Sequence, residues 1–495
     1  MEQTAKEFVE YVKRIDTLSR ILATISFDNE IFAPEGGLET RSKRMSFLQV
    51  ELFEMQTGDK MKVFLEVLSP IKNSLDKVTA AMVRNAQEVY DKNMKIPKEL
   101  IKEFSEAQSK AFVAWQKARK ENKFSQFAPH LKGLVEMQKK MLEFRANSNE
   151  NAYEILLDDF EKGTTIEIYD KLFGEYKEVA IPLLKKIESK KKLETRYINE
   201  HVSLEAQEKI SEFIATKLGY DLNCGLIEVA AHPFCSSIDK FDTRITTRYD
   251  EKDFLSSLYS VAHEVGHGIY EQNTADELVG TTLDDGISMG IHESQSRFYE
   301  NMIGRSYEFW EHITDELKTY LPEKFQNLTV KQFYEAANKA EASLIRVEAD
   351  ELTYGIHILI RYEMEKMIFT ENIDINDLPA IWNKKYEEYL GITPPTDSDG
   401  IMQDVHWAYG LFGYFPTYFL GSAYAAQFFT KKEGIEELIK KGDFKTITDW
   451  LTEGIHKHGS VYEPEELVQN FIGEQLDVKY YTDYLTKKFT EVYDL

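Results

Sequence analysis

Two histidines flank a glutamate in the segment His263-Glu264-Val265-Gly266-His267. On a helix, side chains at positions i and i+4 are neighbours, with about 5–6 Å between their Cβ atoms. Two imidazoles at that spacing can bind one zinc ion, at Zn–N distances of about 2.0–2.1 Å. A helix can also carry two core histidines without a metal. The pattern nevertheless favours His263 and His267 as ligands of one metal ion.

The helix that would carry these histidines has an apolar stripe on another face. Asp253 can begin this helix. The stripe follows at spacings of four, three and four residues and comprises Phe254, Leu258, Val261 and Val265. At about 100° per residue, His263 lies about 200° around the helix from Val261. We therefore expect the core to cover one face and a metal site to lie on the other.

A candidate third ligand, Glu293, lies in a second predicted helix over residues 287–304. One face of that helix carries Ile291, Gln295, Phe298 and Met302. Glu293 points the other way, and a carboxylate from a second helix can complete a site built on two histidines. The alternative is an exposed acid, as most lone glutamates are. A third histidine is disfavoured because no Gly-x-x-His continuation follows His267.

The charge balance of the whole chain limits its partners. Its 495 residues include 60 Lys and Arg against 85 Asp and Glu, a formal net charge of −25. Binding to nucleic acid or to anionic lipid would require a basic face, so both are disfavoured. With 42% hydrophobic residues, the chain can bury a large core.

Neither the cysteines nor the N-terminus indicates export. The two cysteines, Cys224 and Cys235, give no disulfide framework and are expected to be ordinary buried thiols. The first 20 residues carry charges throughout, and the sequence contains no run of about 18 apolar residues. We expect a cytoplasmic protein without a membrane partner.

Helical periodicity covers most of the chain. After Ser203, a good N-cap, apolar residues recur at helical spacing up to Gly219, and spacings of three and four recur near the C-terminus. The clearest strand pattern is residues 242–250, in which β-branched and polar residues alternate. No linker-like segment interrupts the chain, so we predict one large two-lobed domain over residues 1–495. It should be mainly α-helical, with a small β-sheet.

Six segments in order resemble the motifs of the carboxypeptidase Taq family of metallocarboxypeptidases. They are residues 232–234 (His-Pro-Phe), 242–246 (Asp-x-Arg-x-Thr), 263–267 (His-Glu-x-x-His), 292–295 (His-Glu-Ser-Gln), 345–350 (Ile-Arg-x-x-Ala-Asp) and 400–407 (Gly-x-x-Gln-Asp-x-His-Trp). Residues 412–418 extend the match, whereas residues 27–37 match only with substitutions.

The resemblance implies a large helical, zincin-like peptidase domain with a deep substrate groove, a small sheet near the metal and a zinc-site core at about residues 232–420. It implies a zinc carboxypeptidase that releases single residues from peptides with a free C-terminus. Broad specificity, poor cleavage at proline, activation by cobalt (Co²⁺) and a homodimer are further implications. The open fourth position of Zn²⁺ would bind water and lower its pKa to about 7.

The resemblance also suggests residue roles. Glu264 would take a proton from water and pass it to the leaving amine. His406 and Tyr418 are candidate donors to the oxyanion, with Tyr414 close behind. A buried aromatic cluster is the alternative for the tyrosines.

A carboxypeptidase must also bind the substrate carboxylate, for which a guanidinium is well suited. Arg346 is the first candidate, although it could instead form a structural pair with Asp350 at i, i+4. Arg244 is the second candidate. It lies in the predicted strand, which could bind extended peptide if it is an edge strand of the sheet.

Two other functions compete with this interpretation. A helical zinc oligopeptidase or endopeptidase would share the metal ligands, but the motifs around Arg244 and His406 disfavour it. A non-catalytic peptide-binding protein would not need Glu264. An aminopeptidase is disfavoured because the sequence has no Gly-x-Met-Glu-Asn segment to bind a substrate amine.

Overall fold

The computed structural model describes residues 2–146, 151–190 and 192–495. Helices dominate this part of the chain, as the sequence predicts. In chain order they are α1 (Glu2–Ile31), α2 (Leu38–Thr57), α3 (Asp59–Leu68), α4 (Lys77–Met94), α5 (Lys98–Glu121), α6 (Phe124–Arg145), α7 (Ala152–Asp158), α8 (Ile166–Glu188), α9 (Leu204–Leu218), α10 (Phe254–Gln272), α11 (Met289–Arg297), α12 (Tyr307–Lys318), α13 (Val330–Ala337), α14 (Glu351–Thr370), α15 (Leu378–Leu390), α16 (Phe415–Lys431), α17 (Ile435–Lys441), α18 (Phe444–Gly454), α19 (Pro464–Ile472) and α20 (Lys479–Tyr493).

The chain forms two compact units, each built from separate stretches of sequence. The first unit comprises Met1–Met94, Glu194–Ala337 and Phe428–Leu476. The second comprises Lys95–Leu193, Asn338–Gln427 and Asp477–Leu495. The expectation of a single two-lobed domain over residues 1–495 stays a prediction.

A three-stranded sheet lies in the first unit, with strands β1 (Gly225–Val229), β2 (Cys235–Asp239) and β3 (Asp242–Thr247). Their order is β1-β3-β2; β3 pairs parallel with β1 and antiparallel with β2. The strand predicted from residues 242–250 is thus present as β3. The idea that it is an edge strand is wrong, because β3 has a partner on both sides.

Local sequence signals begin and end the helices as expected. Ser203 accepts a hydrogen bond from the backbone N–H of Ala206 at the start of α9, and Gly219 ends that helix with a φ of 102°. Asp253 caps α10 in the same way, by accepting from the N–H of Ser256. The apolar stripe of α10 is fully buried, as predicted: Phe254, Leu258, Val261 and Val265.

The second unit surrounds a helix, α14, that is buried nearly all round. Its buried residues include Leu352, Ile356, Ile358 and Ile360 on several faces, which explains why it lacks a polar side. Asp350 caps its start by accepting from the N–H groups of Leu352 and Thr353.

Cys224 and Cys235 form no disulfide, as expected, but both are half-buried and not fully buried. Among the described helices, none is both long and apolar enough to cross a membrane.

Candidate functional site

Helix α10 brings the two predicted histidine ligands together in the first unit. Their Nε2 atoms converge on one carboxylate oxygen: His263 Nε2 lies 3.6 Å from Glu293 Oε2, and His267 Nε2 lies 3.4 Å from the same atom. One ligand atom from each of these three residues lies within 4.8 Å of the other two. Two imidazoles and a carboxylate are the donor set of many zinc sites, so this group could hold a divalent metal ion.

Helix α11 carries Glu293 and packs directly on α10 at Gly266. A Cβ atom at position 266 would lie only 2.4 Å from the backbone oxygen of Gln295 and 2.6 Å from Cα of Ser296. The two helix backbones can therefore approach closely only because residue 266 is glycine. This approach brings Glu293 within reach of both histidines. Sequence reasoning missed this signal, which is the glycine at the fourth position of the segment 263–267.

The Glu293 carboxylate is buried and held by its own helix. Arg297 donates from Nε to Glu293 Oε1 over 2.7 Å, and the Ser296 hydroxyl lies 3.1 Å from Oε2. Burial opposes ionisation, yet the positive charge of Arg297 and the neighbouring His263 hold the pKa of Glu293 well below its ordinary value. The group is therefore a carboxylate near neutral pH, ready to bind a cation.

His263 is oriented by a glutamate that sequence reasoning missed. A π-helical turn over Phe298–Ile303 follows α11, and Glu300 lies within it. Glu300 Oε2 lies 2.8 Å from His263 Nδ1, and Arg297 Nη1 donates to the same oxygen over 3.1 Å. A proton on Nδ1 leaves Nε2 of His263 as the lone-pair nitrogen that faces Glu293. Glu300 lies seven residues after Glu293, a spacing that places both on one side of a helix, and sequence reasoning missed this signal.

Glu264 lies between the two histidines in sequence but outside the group of ligand atoms. Its side chain is buried, and burial raises its pKa to about 7, against a lowering effect from His263. A carboxylate with a pKa close to the working pH can both accept and return a proton. Glu264 is therefore suited to proton transfer.

In the second unit, Arg346 is held by Asp404 and not by Asp350. Arg346 donates from Nε and Nη2 to Asp404 Oδ1 over 3.0 and 2.8 Å. A second guanidinium, Arg361, donates from Nε to the other oxygen, Oδ2, over 2.7 Å. The alternative pair of Arg346 with Asp350 is wrong, because Asp350 instead caps α14. The three charged side chains of this cluster sum to one positive charge.

His406 and the two candidate tyrosines also lie together in the second unit. His406 Nε2 is 3.5 Å from the Tyr418 hydroxyl, and its ring centroid is 5.5 Å from that of Tyr414. Burial lowers the pKa of His406 to about 4, so its ring is neutral near pH 7. Its Nδ1 atom is buried and has no hydrogen-bond partner among the residues that the structure describes.

Arg244, in the first unit, is already engaged by its neighbours. Its guanidinium donates from Nε and Nη2 to the two oxygens of Asp242, both over 2.7 Å, and lies 5.0 Å from the ring centroid of Phe27. Its strand is the central one, so the backbone on either side of it is paired. Asp242 thus neutralises the Arg244 guanidinium, whereas the cluster of Arg346, Arg361 and Asp404 keeps one positive charge.

A family model decides the class of protein to which this arrangement belongs. The model, described as carboxypeptidase Taq (M32) metallopeptidase, matches residues 7–489. The chain belongs to this family.

Individual relatives match over nearly their whole length. "Carboxypeptidase 1" of Bacillus subtilis is 43% identical over 99% of this chain and 98% of its own, and "Thermostable carboxypeptidase 1" of Thermus thermophilus is 36% identical over 99% of each chain. The solved structure of an M32 carboxypeptidase from Deinococcus radiodurans R1 has a TM-score of 0.95 at 30% identity, covering 100% of both chains. A Pyrococcus furiosus carboxypeptidase structure has a TM-score of 0.95 at 36% identity, covering 99% of both chains.

Family membership and geometry together sort the predicted site residues of this M32 carboxypeptidase into three groups. The first unit brings together the ligand candidates of α10 and α11. The second unit brings together Arg346, His406, Tyr414 and Tyr418. The third is Arg244 in the first unit, which contacts Asp242 and Phe27. Sequence reasoning missed Arg361, a buried residue of the largely apolar helix α14.

Proposed function

We propose that this chain is a zinc-dependent metallocarboxypeptidase that releases single amino acids from the C-termini of peptides. The observation that carries this proposal is the convergence of His263, His267 and Glu293 within 4.8 Å, in a chain of the M32 family. The resemblance further implies broad side-chain preference and poor cleavage at proline. It also implies activation by cobalt and a homodimer. A cytoplasmic location is expected from the sequence itself, and all of these stay predictions.

The residues present fit a zinc ion. The donor set is two imidazole nitrogens and one carboxylate oxygen, and the Nδ1 atom of His263 is already bonded to Glu300, which leaves its Nε2 for the metal. When bound, zinc supplies Lewis acidity that polarises a peptide carbonyl and lowers the pKa of water.

Glu264 is the proposed proton-transfer residue. It is buried, its pKa is raised to about 7, and it adjoins both histidines in sequence without being one of the ligand candidates. In the proposed reaction, Glu264 takes the proton from the attacking water and later delivers it to the amine of the departing residue. The atoms balance, because water is split between the new carboxylate and the new amine.

His406 and Tyr418 are proposed as donors to the oxyanion that forms on the scissile carbonyl. A neutral imidazole carries one N–H, and a tyrosine hydroxyl is also a donor. The Tyr418 hydroxyl and His406 Nε2 are 3.5 Å apart, close enough for both to donate to one oxyanion. Tyr414, whose ring lies 5.3 Å from that of Tyr418, is the third candidate.

Arg346 is the proposed binding residue for the C-terminal carboxylate. Asp404 neutralises only one of the two buried guanidinium groups it contacts, so the cluster keeps one positive charge. An isolated positive charge in a buried site attracts an anion strongly. A free peptide carboxylate supplies that anion, which explains selectivity for C-termini within a protein of net charge −25.

Substitution of each candidate arginine by lysine tests this assignment. Lysine keeps the charge but loses the bidentate geometry of the guanidinium. We expect Arg346→Lys to raise KM for a blocked peptide with a free C-terminus by about tenfold or more, a change of about 1.4 kcal/mol. Arg244→Lys is the matched control and should leave KM nearly unchanged.

The substrate can also be varied in place of the protein. Amidation of the same peptide should abolish most turnover by the wild type, because the charge that Arg346 binds is removed. Equal turnover of the free and amidated peptides, or a larger KM effect from Arg244→Lys, would contradict the proposed carboxylate site. Cleavage at internal bonds would instead support the oligopeptidase alternative.

A further inference from the structure

A short chain of hydrogen bonds leads from the metal-binding group away from the ligand atoms. His267 Nδ1 lies 2.6 Å from His292 Nδ1, and the two rings are stacked with centroids 4.6 Å apart. On its other side, His292 Nε2 lies 2.6 Å from Oε1 of Glu271. His267 is thus connected through one imidazole ring to a buried carboxylate.

The positions of the protons in this chain follow from its two ends. The Nε2 atom of His267 faces Glu293 and must keep its lone pair to bind a metal, so its proton is on Nδ1. That proton can be accepted only if Nδ1 of His292 carries none. His292 then carries its proton on Nε2 and donates it to Glu271, since an ionised carboxylate only accepts.

The His292 ring is also held mechanically. A Cβ atom at Gly286 would lie 2.3 Å from Cδ2 of His292 and 3.1 Å from Cε1 of Tyr270. The Tyr270 ring also contacts the His292 ring, tilted by 31° with centroids 5.3 Å apart. The backbone of Gly286 and the tyrosine therefore leave the imidazole little room to rotate, and its two nitrogens stay aligned with His267 and Glu271.

The two ligand histidines therefore have different supports. His263 donates directly to the carboxylate of Glu300, over 2.8 Å. With a metal on its Nε2, His267 would donate to the imidazole of His292, and the carboxylate of Glu271 is one residue further away. Groups that accept from the second nitrogen of a metal-binding histidine fix its tautomer and ring orientation.

We propose that His292 and Glu271 are positioning residues that hold His267 in the tautomer and orientation required for metal binding. This inference rests on the proposed metal site. His292 touches neither the substrate nor the metal in this role, and it acts only through His267. The role predicts that metal affinity depends on an acceptor at the position of His292 Nδ1, and not on ring volume.

A pair of nearly isosteric substitutions isolates that acceptor. In His292→Asn, the side-chain oxygen can occupy the position of Nδ1 and accept from His267. In His292→Leu, a side chain of similar volume has no acceptor. His456→Leu is the control for loss of a buried imidazole in the same cluster. The His456 ring is 5.0 Å from that of Tyr270, but its nitrogens lie near Gln295 and Thr452.

The readout is the zinc dissociation constant of metal-stripped protein, measured by competition with a chromophoric chelator, together with the Tm of the metal-free protein. We expect His292→Leu to weaken zinc binding by about 10–100-fold, as loss of such a partner does elsewhere. His292→Asn should stay within about threefold of the wild type, because the hydrogen bond is retained. Both variants should lower the Tm of the metal-free protein by similar amounts.

Two outcomes would overturn the positioning role. One is equal zinc affinity in the Asn and Leu variants, and the other is equal weakening by His456→Leu. If the wild type itself fails to bind zinc, the proposed metal site is wrong, and that result is distinguishable because it does not involve a variant. Glu271→Leu gives a second measurement should His292→Leu fail to fold. Glu271→Leu should also weaken zinc binding, and an unchanged zinc affinity would count against the proposal.

Discussion

Replacement of Asp404 by asparagine should destabilise the second unit strongly. Among the described residues, Asp404 is the only acidic residue that pairs with both Arg346 and Arg361, at nitrogen–oxygen distances of 2.8 and 2.6 Å. The side chains of the two arginines are 8% and 0% exposed, and that of Asp404 is 12% exposed. Solvent therefore cannot replace the lost charge.

The size of the effect follows from this burial. Removal of one partner from a buried ion pair lowers the free energy of unfolding by about 3–5 kcal/mol, because the remaining charge is left uncompensated. Asparagine keeps one acceptor oxygen but no negative charge, so two buried guanidinium groups would repel each other. We expect a loss near the lower end of that range, about 3 kcal/mol.

Urea unfolding followed by tryptophan fluorescence measures this loss of unfolding free energy. Trp382, one of five tryptophans in the chain, lies in the second unit with its ring centroid 4.8 Å from the Arg361 guanidinium. Asp483→Asn is the matched control, since Asp483 pairs with Lys479 on the exposed surface of α20. Its unfolding midpoint should not change, because exposed pairs contribute little.

The pH dependence of the same experiment provides a second check. Burial alone would raise the pKa of Asp404, but Arg346 and Arg361 hold it far below its ordinary value. A carboxyl group whose pKa is depressed in the folded state contributes stability above its unfolded pKa of about 3.9, and that stability is lost as the pH falls. The difference in unfolding free energy between the wild type and Asp404→Asn should be largest above about pH 5 and should shrink below about pH 4. A variant as stable as the wild type at pH 7, or a difference that does not change with pH, would refute this reasoning.

Two further substitutions test the metal group directly. Glu264→Gln should keep zinc but lower kcat by about 10²–10⁴-fold, because the proton acceptor is lost; elemental analysis with kinetics checks this, and near-normal turnover would exclude Glu264 as the base. Glu293→Ala should lose zinc while the exposed control Glu277→Ala retains it; full zinc occupancy in Glu293→Ala would remove it from the ligand set.

Local signals made the metal helix predictable from sequence. The cap at Asp253, the apolar stripe and the i, i+4 histidines all lie within one helix, so their geometry follows from its 3.6-residue period. Glu293 was predictable from its position on the polar side of a second helix. That helix was expected to run over residues 287–304, but α11 ends at Arg297 and a π-helical turn follows. Glu300 lies in that turn, and its i, i+7 spacing from Glu293 indicated the shared side, but its contact with His263 was not predicted.

Long-range partners were harder to predict. The pairing of Arg346 with Asp350 assumed helical spacing, but Arg346 lies in a 3₁₀ turn over Arg346–Glu348 and α14 begins only after Asp350. The partner that Arg346 uses, Asp404, is 58 residues away in sequence. An alternating pattern likewise indicates a strand without revealing its position in the sheet. β3 is the central strand because it pairs with β1 on one side and β2 on the other.

The most direct test of the proposed function is mass spectrometry of a peptide with a blocked N-terminus, incubated with metal-stripped protein and then with protein restored by zinc. The account predicts no cleavage without metal and, after restoration, a ladder of products that lose one C-terminal residue at a time. Internal cleavage, or no cleavage with restored zinc, would contradict it.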